Sequence, residues 1–151
     1  MPTITPFLWF DTDLRGPLAF YSSIFADAAD ATPPDPDQGP VYSATLTLAG
    51  QQLMLLNGGP THAGFSESIS LFVSVSTQDE VDVLWERLCD GGQPGQCGWL
   101  KDRYGLSWQI VPTVLGELLG SSDRARAQQA MEAMWTMQKL DIAALRAAYD
   151  R

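Results

Sequence analysis

The order of predicted secondary structure is the same in both halves of the chain, and this repetition restricts the fold more than any other feature. Each half begins with an apolar strand, continues into a helix and ends in further strands. In the first half the predicted strands are Thr3–Phe10, Val41–Ala49 and Gln52–Asn57. A helix begins near Pro17, and a proline-rich loop, Ala31–Pro40, precedes the second strand. In the second half a helix begins after Thr77, and the strands are Ser68–Ser76, Gln96–Leu100 and Leu106–Val111. An order repeated over about 110 residues predicts two similar modules.

The second half shows the clearest local patterns. Between Ser68 and Ser76 polar and apolar side chains alternate, which is typical of a strand with one buried face. Glu80 lies three residues after Thr77, the spacing of a capping box at a helix N-terminus. The pair Gly91-Gly92 is expected to end this helix.

The last part of the chain is predicted to be helical. The predicted helices are Pro112–Leu119, Asp123–Gln138 and Asp141–Tyr149, with Ser121-Ser122 as the cap of the second helix. A stripe of Met131, Met134 and Trp135 on that helix is typical either of core packing or of a subunit contact. We therefore predict one domain of paired modules over residues 1–112, divided at about 1–62 and 63–112, and a helical extension over residues 113–151.

Composition and charge exclude several classes of function. The 151 residues carry a net charge of −9 and only 9 scattered Lys and Arg, so no nucleic-acid partner is expected. No apolar run approaches the ~20 residues that span a bilayer, and the N-terminus does not resemble a signal peptide, so no membrane partner is expected. Cys89 and Cys97 are too few for a disulfide scaffold, which favours a cytoplasmic protein.

Five segments carry a resemblance to a known family. They are TPFLWF (Thr5–Phe10), FYSSIF (Phe20–Phe25), LNGGP (Leu56–Pro60), QCGWLKDRYGLSWQIVP (Gln96–Pro112) and MEAMWTMQKLDIAAL (Met131–Leu145). In them the chain resembles the PhnB-like branch of the vicinal-oxygen-chelate (VOC), or glyoxalase/bleomycin-resistance, superfamily, whose members are often labelled 3-demethylubiquinone 3-methyltransferase. The resemblance implies an α+β fold in which two βαβββ modules form a curved mixed sheet around a cleft, with a C-terminal helical extension. It also implies a homodimer.

The methyltransferase label is not supported by the residues themselves. A common class of methyltransferase binds S-adenosylmethionine on a doubly wound parallel sheet with a glycine-rich loop after the first strand. Here the first strand is followed by DTDLRGP (Asp11–Pro17), which contains one glycine. We therefore expect no cofactor.

The superfamily resemblance also implies positions for a metal ion, which can polarise a substrate carbonyl. By that resemblance the four positions fall near Pro6 or Phe7, near Leu55 or Asn57, at Ser70 and at Gln109. Of these side chains, only that of Gln109 is able to coordinate a metal, and one neutral amide is far short of a site. We therefore expect a metal-free pocket.

The candidate ligand-binding residues offer hydroxyl and amide groups among aromatic walls, as in a pocket for a planar or partly apolar molecule. They are Trp9, Asn57, Ser68, Ser70, Phe72, Trp99, Ser107 and Gln109. The serine row could instead be an exposed sheet face, and Trp9, Trp99 and Trp108 could be core residues. The sequence does not decide whether Phe7 and Trp9 or Pro6 and Leu8 face the cleft.

The sequence identifies no catalytic residue. His62, the single histidine, is either a loop residue or a ligand or base. Cys97 is either an inert buried thiol or a nucleophile activated by Lys101, the nearest cation in sequence. Lys101 and Asp102 are expected to shape the turn before the last strand.

Three functions are compatible with these patterns. The first is a small-molecule binder with a metal-free cleft. The second is a VOC enzyme, of the methyltransferase-like, lyase or dioxygenase type, acting on a small aromatic or dicarbonyl substrate. The third is an adaptor that uses the Met and Trp stripe as its interaction surface.

Overall fold

The computed structural model describes residues 1–28, 37 and 39–151, which form two compact units, Met1–Gly64 and Phe65–Arg151. Each unit contains one mixed β-sheet, and helices accompany both sheets. The predicted α+β class is therefore confirmed, with the strands arranged as two mixed sheets, one in each unit. The predicted loop Ala31–Pro40 falls largely outside the described residues.

Unit 1 has the order strand, helix, strand, strand in its described part. The elements are β1 (Phe7–Phe10), α1 (Arg15–Ile24), β2 (Ser43–Leu48) and β3 (Gln51–Asn57). The sheet order is β1-β3-β2, with β1 parallel to β3 and β2 antiparallel to it. The two-residue turn between β2 and β3 has positive φ at both Ala49 (47°) and Gly50 (78°), as in the hairpin turns that match the strand twist.

Burial in β1 settles which of its faces lies inside unit 1. Leu8 and Phe10 are buried, whereas Phe7 is 54% exposed. Leu8 pairs with the buried Leu55 of β3, and α1 contacts the neighbouring strand β2. Phe7 and Trp9 therefore share the face opposite to the core of this unit.

The first predicted strand of each half is shorter in the structure than in the sequence pattern, and the predicted strand Val41–Ala49 is shortened to Ser43–Leu48. The first strand was expected from Thr3 but begins at Phe7, directly after Pro6, which cannot donate to a ladder. The first strand of the second half was expected over Ser68–Ser76 but spans only Leu71–Val75. Its predicted first residues form a turn, in which the Ser66 and Ser68 hydroxyls are 2.6 Å apart. The alternation there reflects turn residues, not sheet pairing.

Unit 2 shows the complete strand–helix–three-strand order. Its elements are β4 (Leu71–Val75), α2 (Gln78–Cys89), β5 (Gln93–Pro94), β6 (Trp99–Lys101) and β7 (Ser107–Pro112). The sheet order is β4-β7-β6-β5, with β4 parallel to β7 and the other pairs antiparallel. The order of strand, helix and strands is thus repeated in the two units, as expected from the sequence, and in both units the first strand is parallel to the last. The predicted strand Gln96–Leu100 is wrong at its start, because Cys97 has a positive φ of 57° that does not fit a strand.

Three helices follow β7: α3 (Thr113–Leu119), α4 (Arg124–Trp135) and α5 (Ile142–Tyr149). The predicted cap Ser121-Ser122 is wrong, because the carboxylate of Asp123 accepts the capping bond from the backbone N–H of Arg126. The predicted helix end at Gln138 is also wrong. The carbonyls of Met137 and Gln138 accept hydrogen bonds from Cys97 and Gly98, which lie just before β6, so they are not part of a helix ladder.

The Met and Trp stripe of α4 is divided between core and surface. Met134 packs against a buried cluster that α3, α4 and α5 form at the end of β7. Trp135, one residue later, is 56% exposed. Met134 therefore packs against the core, as one of the two interpretations predicted, whereas Trp135 lies at the surface.

Candidate functional site

Strand pairing in unit 2 places several candidate residues on one face of its sheet. Phe72 of β4, Gln109 of β7 and Trp99 of β6 are direct cross-strand partners. Paired residues project from the same face of a sheet, so these three side chains form one row. A second row on this face contains Ser107, Lys101 and Gln93, which also pair directly.

The opposite face of the same sheet belongs to the core. Leu100, Trp108 and Ile110 are buried there, and α2 contacts both of the strands that carry them. Trp108 is thus a core residue, 2% exposed. Because strand residues alternate between faces, the residues next to these three in β6 and β7 point to the other face, which carries the candidate site.

A pocket of about 120 Å³ lies at the β5–β6–β7 edge of unit 2. Its lining combines an aromatic ring, polar groups and an ion pair: Trp99, Ser107, Lys101, Glu67, Gln93, Pro94, Gly95 and Leu100. The Ser107 hydroxyl is buried and has no hydrogen-bond partner among the described residues. A buried hydroxyl is normally bonded, so an unpaired one that lines a pocket is a candidate contact point for a ligand atom.

The charges at the pocket come from Lys101 and Glu67. Lys101 Nζ lies 3.0 Å from Glu67 Oε1. The two side chains are 42% and 68% exposed, so water screens their attraction and the pair is weak. The pocket therefore contains one cation whose partner is easily displaced.

The row formed by Phe72, Gln109 and Trp99 offers a second surface next to this pocket. Gln109 Nε2 donates to the Ser70 hydroxyl at 2.9 Å. Phe72 is 58% exposed, an unusual state for a phenylalanine, and Trp99 on the other side also lines the pocket. An amide held between two aromatic side chains can contact a planar, partly apolar molecule.

The structure thus brings together part of the predicted set, and the rest lies elsewhere. The residues on the shared face of unit 2 are Ser70, Phe72, Trp99, Ser107 and Gln109. Ser68 is exposed in the turn before β4. Trp9 and Asn57 are in unit 1, on opposite faces of its sheet, because Asn57 pairs with the buried Phe10.

Trp9 and His62 form a local cluster in unit 1. Trp9 Nε1 donates to the Gly59 carbonyl at 2.9 Å, and the His62 ring meets the indole edge-on with 4.6 Å between ring centroids. The indole also lies so close to Gly58 that a Cβ there would be 2.2 Å from its ring atoms. Gly58 is therefore required for this packing.

Of the eight residues that line the pocket, only Trp99 and Ser107 were among the ligand-binding residues predicted from the sequence. Glu67, Gln93 and Pro94 line it, yet they lie in a turn and in a two-residue strand. Neither segment has a periodic signal. Gln93 is identified by its pairing with Lys101, and this pairing is known only once the strands are placed in register.

The residues at the metal positions implied by the superfamily do not fit a divalent ion. In unit 1 they are Pro6, Phe7, Leu55 and Asn57, of which only Asn57 has a polar side chain. In unit 2 they are Ser70 and Gln109, which offer one hydroxyl and one neutral amide oxygen. Within the described part of the chain no group of three or more His, Cys, Asp or Glu side chains is placed to hold a metal.

Cys97 lies in the link between β5 and β6, where the C-terminal helices contact it. Its Sγ lies 3.6 Å from the Met134 carbonyl, and its backbone N–H donates to the Met137 carbonyl. The ammonium of Lys101, the nearest cation in sequence and the one that a nucleophilic Cys97 would need, is paired with Glu67. These contacts describe a structural thiol.

Comparison with known proteins connects this architecture to a family. The sequence model of the family described as 3-demethylubiquinone-9 3-methyltransferase matches residues 2–111. No curated protein matches the chain at a significant level. Among the described residues, no helix has the length and apolar character needed to cross a membrane.

Solved structures with the same fold include a PhnB protein from Bacillus cereus, 29% identical, which matches 74% of this chain and 100% of its own length with a TM-score of 0.62. Protein PA1353 from Pseudomonas aeruginosa is 19% identical over 74% of this chain and 98% of its own, with a TM-score of 0.56. The fosfomycin resistance protein FosX from Listeria monocytogenes is 18% identical over 79% of this chain and 95% of its own, with a TM-score of 0.53. The chain belongs to the 3-demethylubiquinone-9 3-methyltransferase family, the PhnB-like branch of the VOC superfamily.

Proposed function

We propose that this protein binds a planar, partly apolar small molecule on the face of the unit 2 sheet, without a metal ion. The observation that carries the proposal is the buried Ser107 hydroxyl, which has no partner among the described residues and lines a pocket beside Trp99. The row of Phe72, Gln109 and Trp99 supplies the surface for the ring of the ligand. The pocket supplies its polar contacts.

The test uses 2-naphthamide, a planar neutral probe, with calorimetric titration of the whole protein. In Ser107→Ala we expect the affinity to fall roughly fivefold, because one hydrogen bond is lost. The same variant should be at least as stable as wild type in urea, because it removes a buried unpaired polar atom. Ser74→Ala, an exposed serine of β4, is the matched control and should bind as wild type does.

If Ser107 has only a structural role, the opposite results are expected. Ser107→Ala would then lose stability and bind the probe unchanged. That result, or equal loss of affinity in Ser107→Ala and Ser74→Ala, would contradict the proposal. Failure of wild type to bind the probe at all would do the same.

Enzyme activity is the second candidate, and the family comparison favours it. The matching family is described as a methyltransferase, and a FosX structure holds manganese. A metal-dependent reaction is disfavoured by the poor metal-coordinating groups at Phe7, Leu55 and Gln109. The common form of methyl transfer needs a glycine-rich loop after the first strand, and the β1–α1 link, Asp11–Leu14, contains no glycine.

Metal analysis of the purified protein separates the two candidates. We expect less than stoichiometric zinc, manganese or iron, both in wild type and in Gln109→Ala. A stoichiometric divalent ion that is lost in Gln109→Ala would overturn the metal-free part of the proposal and favour the enzyme.

We also propose a homodimer in the cytoplasm. Phe7 and Met54 are direct partners in the unit 1 sheet and are 54% and 41% exposed, which favours a protein contact on that face. Cys89 and Cys97 are both free thiols, as expected in a reducing compartment.

A further inference from the structure

From the pocket geometry we infer that the ligand carries a carboxylate, which binds between Lys101 and Ser107 and displaces the carboxylate of Glu67. This inference rests on the function proposed above and adds the chemical class of the ligand. Glu67 is then an internal competitor: its own carboxylate lies where the ligand's would bind.

The pocket offers more hydrogen-bond donors than Glu67 uses. Lys101 of β6 and Ser107 of β7 are direct cross-strand partners on one face, so their side chains begin about 5 Å apart. Glu67 engages only the ammonium of Lys101, at 3.0 Å. The Ser107 hydroxyl has no partner among the described residues. A carboxylate has two oxygens and can accept from both groups, which is one hydrogen bond more than Glu67 makes.

The Glu67 side chain can leave its position beside Lys101. It lies in the turn before β4, and its side chain is 68% exposed, so releasing it into water uncovers no buried charge. The ion pair that it forms is of the exposed, screened kind that contributes little to stability. A ligand held also by the aromatic row can therefore compete with it.

The size and charge of the pocket favour one class of anion. The pocket measures about 120 Å³ and is lined by one lysine and no arginine. A phosphate dianion is usually held by arginine forks or by several donors, whereas one ammonium and one hydroxyl suit a singly charged carboxylate. Trp99, which lines the pocket and also belongs to the aromatic row, makes an aromatic carboxylate the best match.

The experiment compares 2-naphthoate with its neutral analogue 2-naphthamide, by calorimetric titration of wild type and three variants. Glu67→Gln removes the internal competitor. Lys101→Met removes the cation. Asp90→Asn is the matched control, because it makes the same change in net charge and also breaks an exposed ion pair, with Arg103.

In Glu67→Gln we expect the affinity for 2-naphthoate to rise about threefold, the size of one exposed ion pair that the ligand no longer has to displace, and the affinity for 2-naphthamide to change less than about 1.5-fold. In Lys101→Met the preference for 2-naphthoate over 2-naphthamide should disappear. Asp90→Asn should bind both probes as wild type does.

Two results would overturn the inference and leave the proposed function standing. One is an equal gain for 2-naphthoate in Glu67→Gln and Asp90→Asn, which would be a general charge effect. The other is Ser107-dependent binding of 2-naphthamide together with no effect of Glu67→Gln on 2-naphthoate. If neither probe binds wild type or Glu67→Gln, both the inference and the proposed function fail.

Discussion

Asp102 is the residue on which the turn before β7 depends. It is 3% exposed, and its carboxylate accepts hydrogen bonds from the backbone N–H groups of Tyr104 and Leu106, at 2.8 and 3.1 Å, and from Trp108 Nε1 at 2.9 Å. The expectation that Asp102 shapes this turn is therefore confirmed. Since the turn sets where β7 begins, Asp102 also positions Ser107 at the pocket.

Replacing Asp102 by Ala should lower the free energy of unfolding by about 3 kcal/mol or more, because it leaves three donors without their acceptor. Asp102→Asn keeps one acceptor oxygen and should be intermediate. Urea unfolding measures both. The control is Asp90→Ala, which removes an exposed ion pair and should change stability by less than about 1 kcal/mol. Equal losses in Asp102→Ala and Asp90→Ala would contradict the assigned role.

Among the elements, α2 has the most completely specified start. Thr77 accepts from the backbone N–H of Glu80, and Glu80 Oε2 accepts in return from the backbone N–H groups of Ser76 and Thr77. The predicted capping box is confirmed, as is the helix end before Gly91, whose φ is 75°. The hydrogen bonds from Ser76 and then Thr77 hold the pKa of the Glu80 carboxyl below its ordinary value.

This pKa shift predicts a pH dependence of stability. A lowered pKa in the folded state means that the charged carboxylate stabilises the fold above its ordinary pKa of 4.5 and that this contribution is lost as the pH falls through the lowered value. The stability difference between wild type and Glu80→Gln should therefore shrink below pH 4.5. Urea unfolding near neutral pH and in acid measures it. Asp79→Asn, in the same helical turn, is the control for loss of charge, and a difference that does not vary with pH would contradict the prediction.

Thr77→Ala tests the other half of the capping box. Loss of the hydroxyl leaves the backbone N–H of Glu80 without its acceptor and should lower the free energy of unfolding by about 1 kcal/mol. Thermal unfolding followed by circular dichroism measures it. Thr77→Ser retains the acceptor oxygen and should stay close to wild type. A loss in Thr77→Ser as large as that in Thr77→Ala would argue against capping.

For the whole molecule, the main question is which surface forms the proposed homodimer. Phe7→Asp places a charge on an exposed apolar face and should shift the protein toward monomer in sedimentation velocity, with its fold retained. Trp135→Asp, on the exposed side of α4, should leave the dimer intact. Trp135 is a better probe than Met134, whose side chain packs against the helical cluster. A monomer in Trp135→Asp and a dimer in Phe7→Asp would assign the contact to α4.

The sequence by itself determined the features that depend on near neighbours in the chain. These are the repeated strand–helix–strand order, the capping box of Thr77 and Glu80, and the family. Each is encoded within a few residues or in a motif. Where a prediction needed a partner distant in sequence it failed or stayed open. Examples are the end of α4 and the inner face of β1, which depend on contacts with Gly98 and with Leu55.

Only the tertiary structure decided which charged and polar groups meet at the pocket. Ser107, Lys101 and Gln93 become neighbours only through the register of three strands, and Glu67 reaches them from a turn with no periodic pattern. A shift of one residue in that register would turn every side chain of a strand to the other face. Register is set by the burial of Leu100, Trp108 and Ile110 on the far face of the sheet, so the core of unit 2 decides which polar groups meet at the pocket.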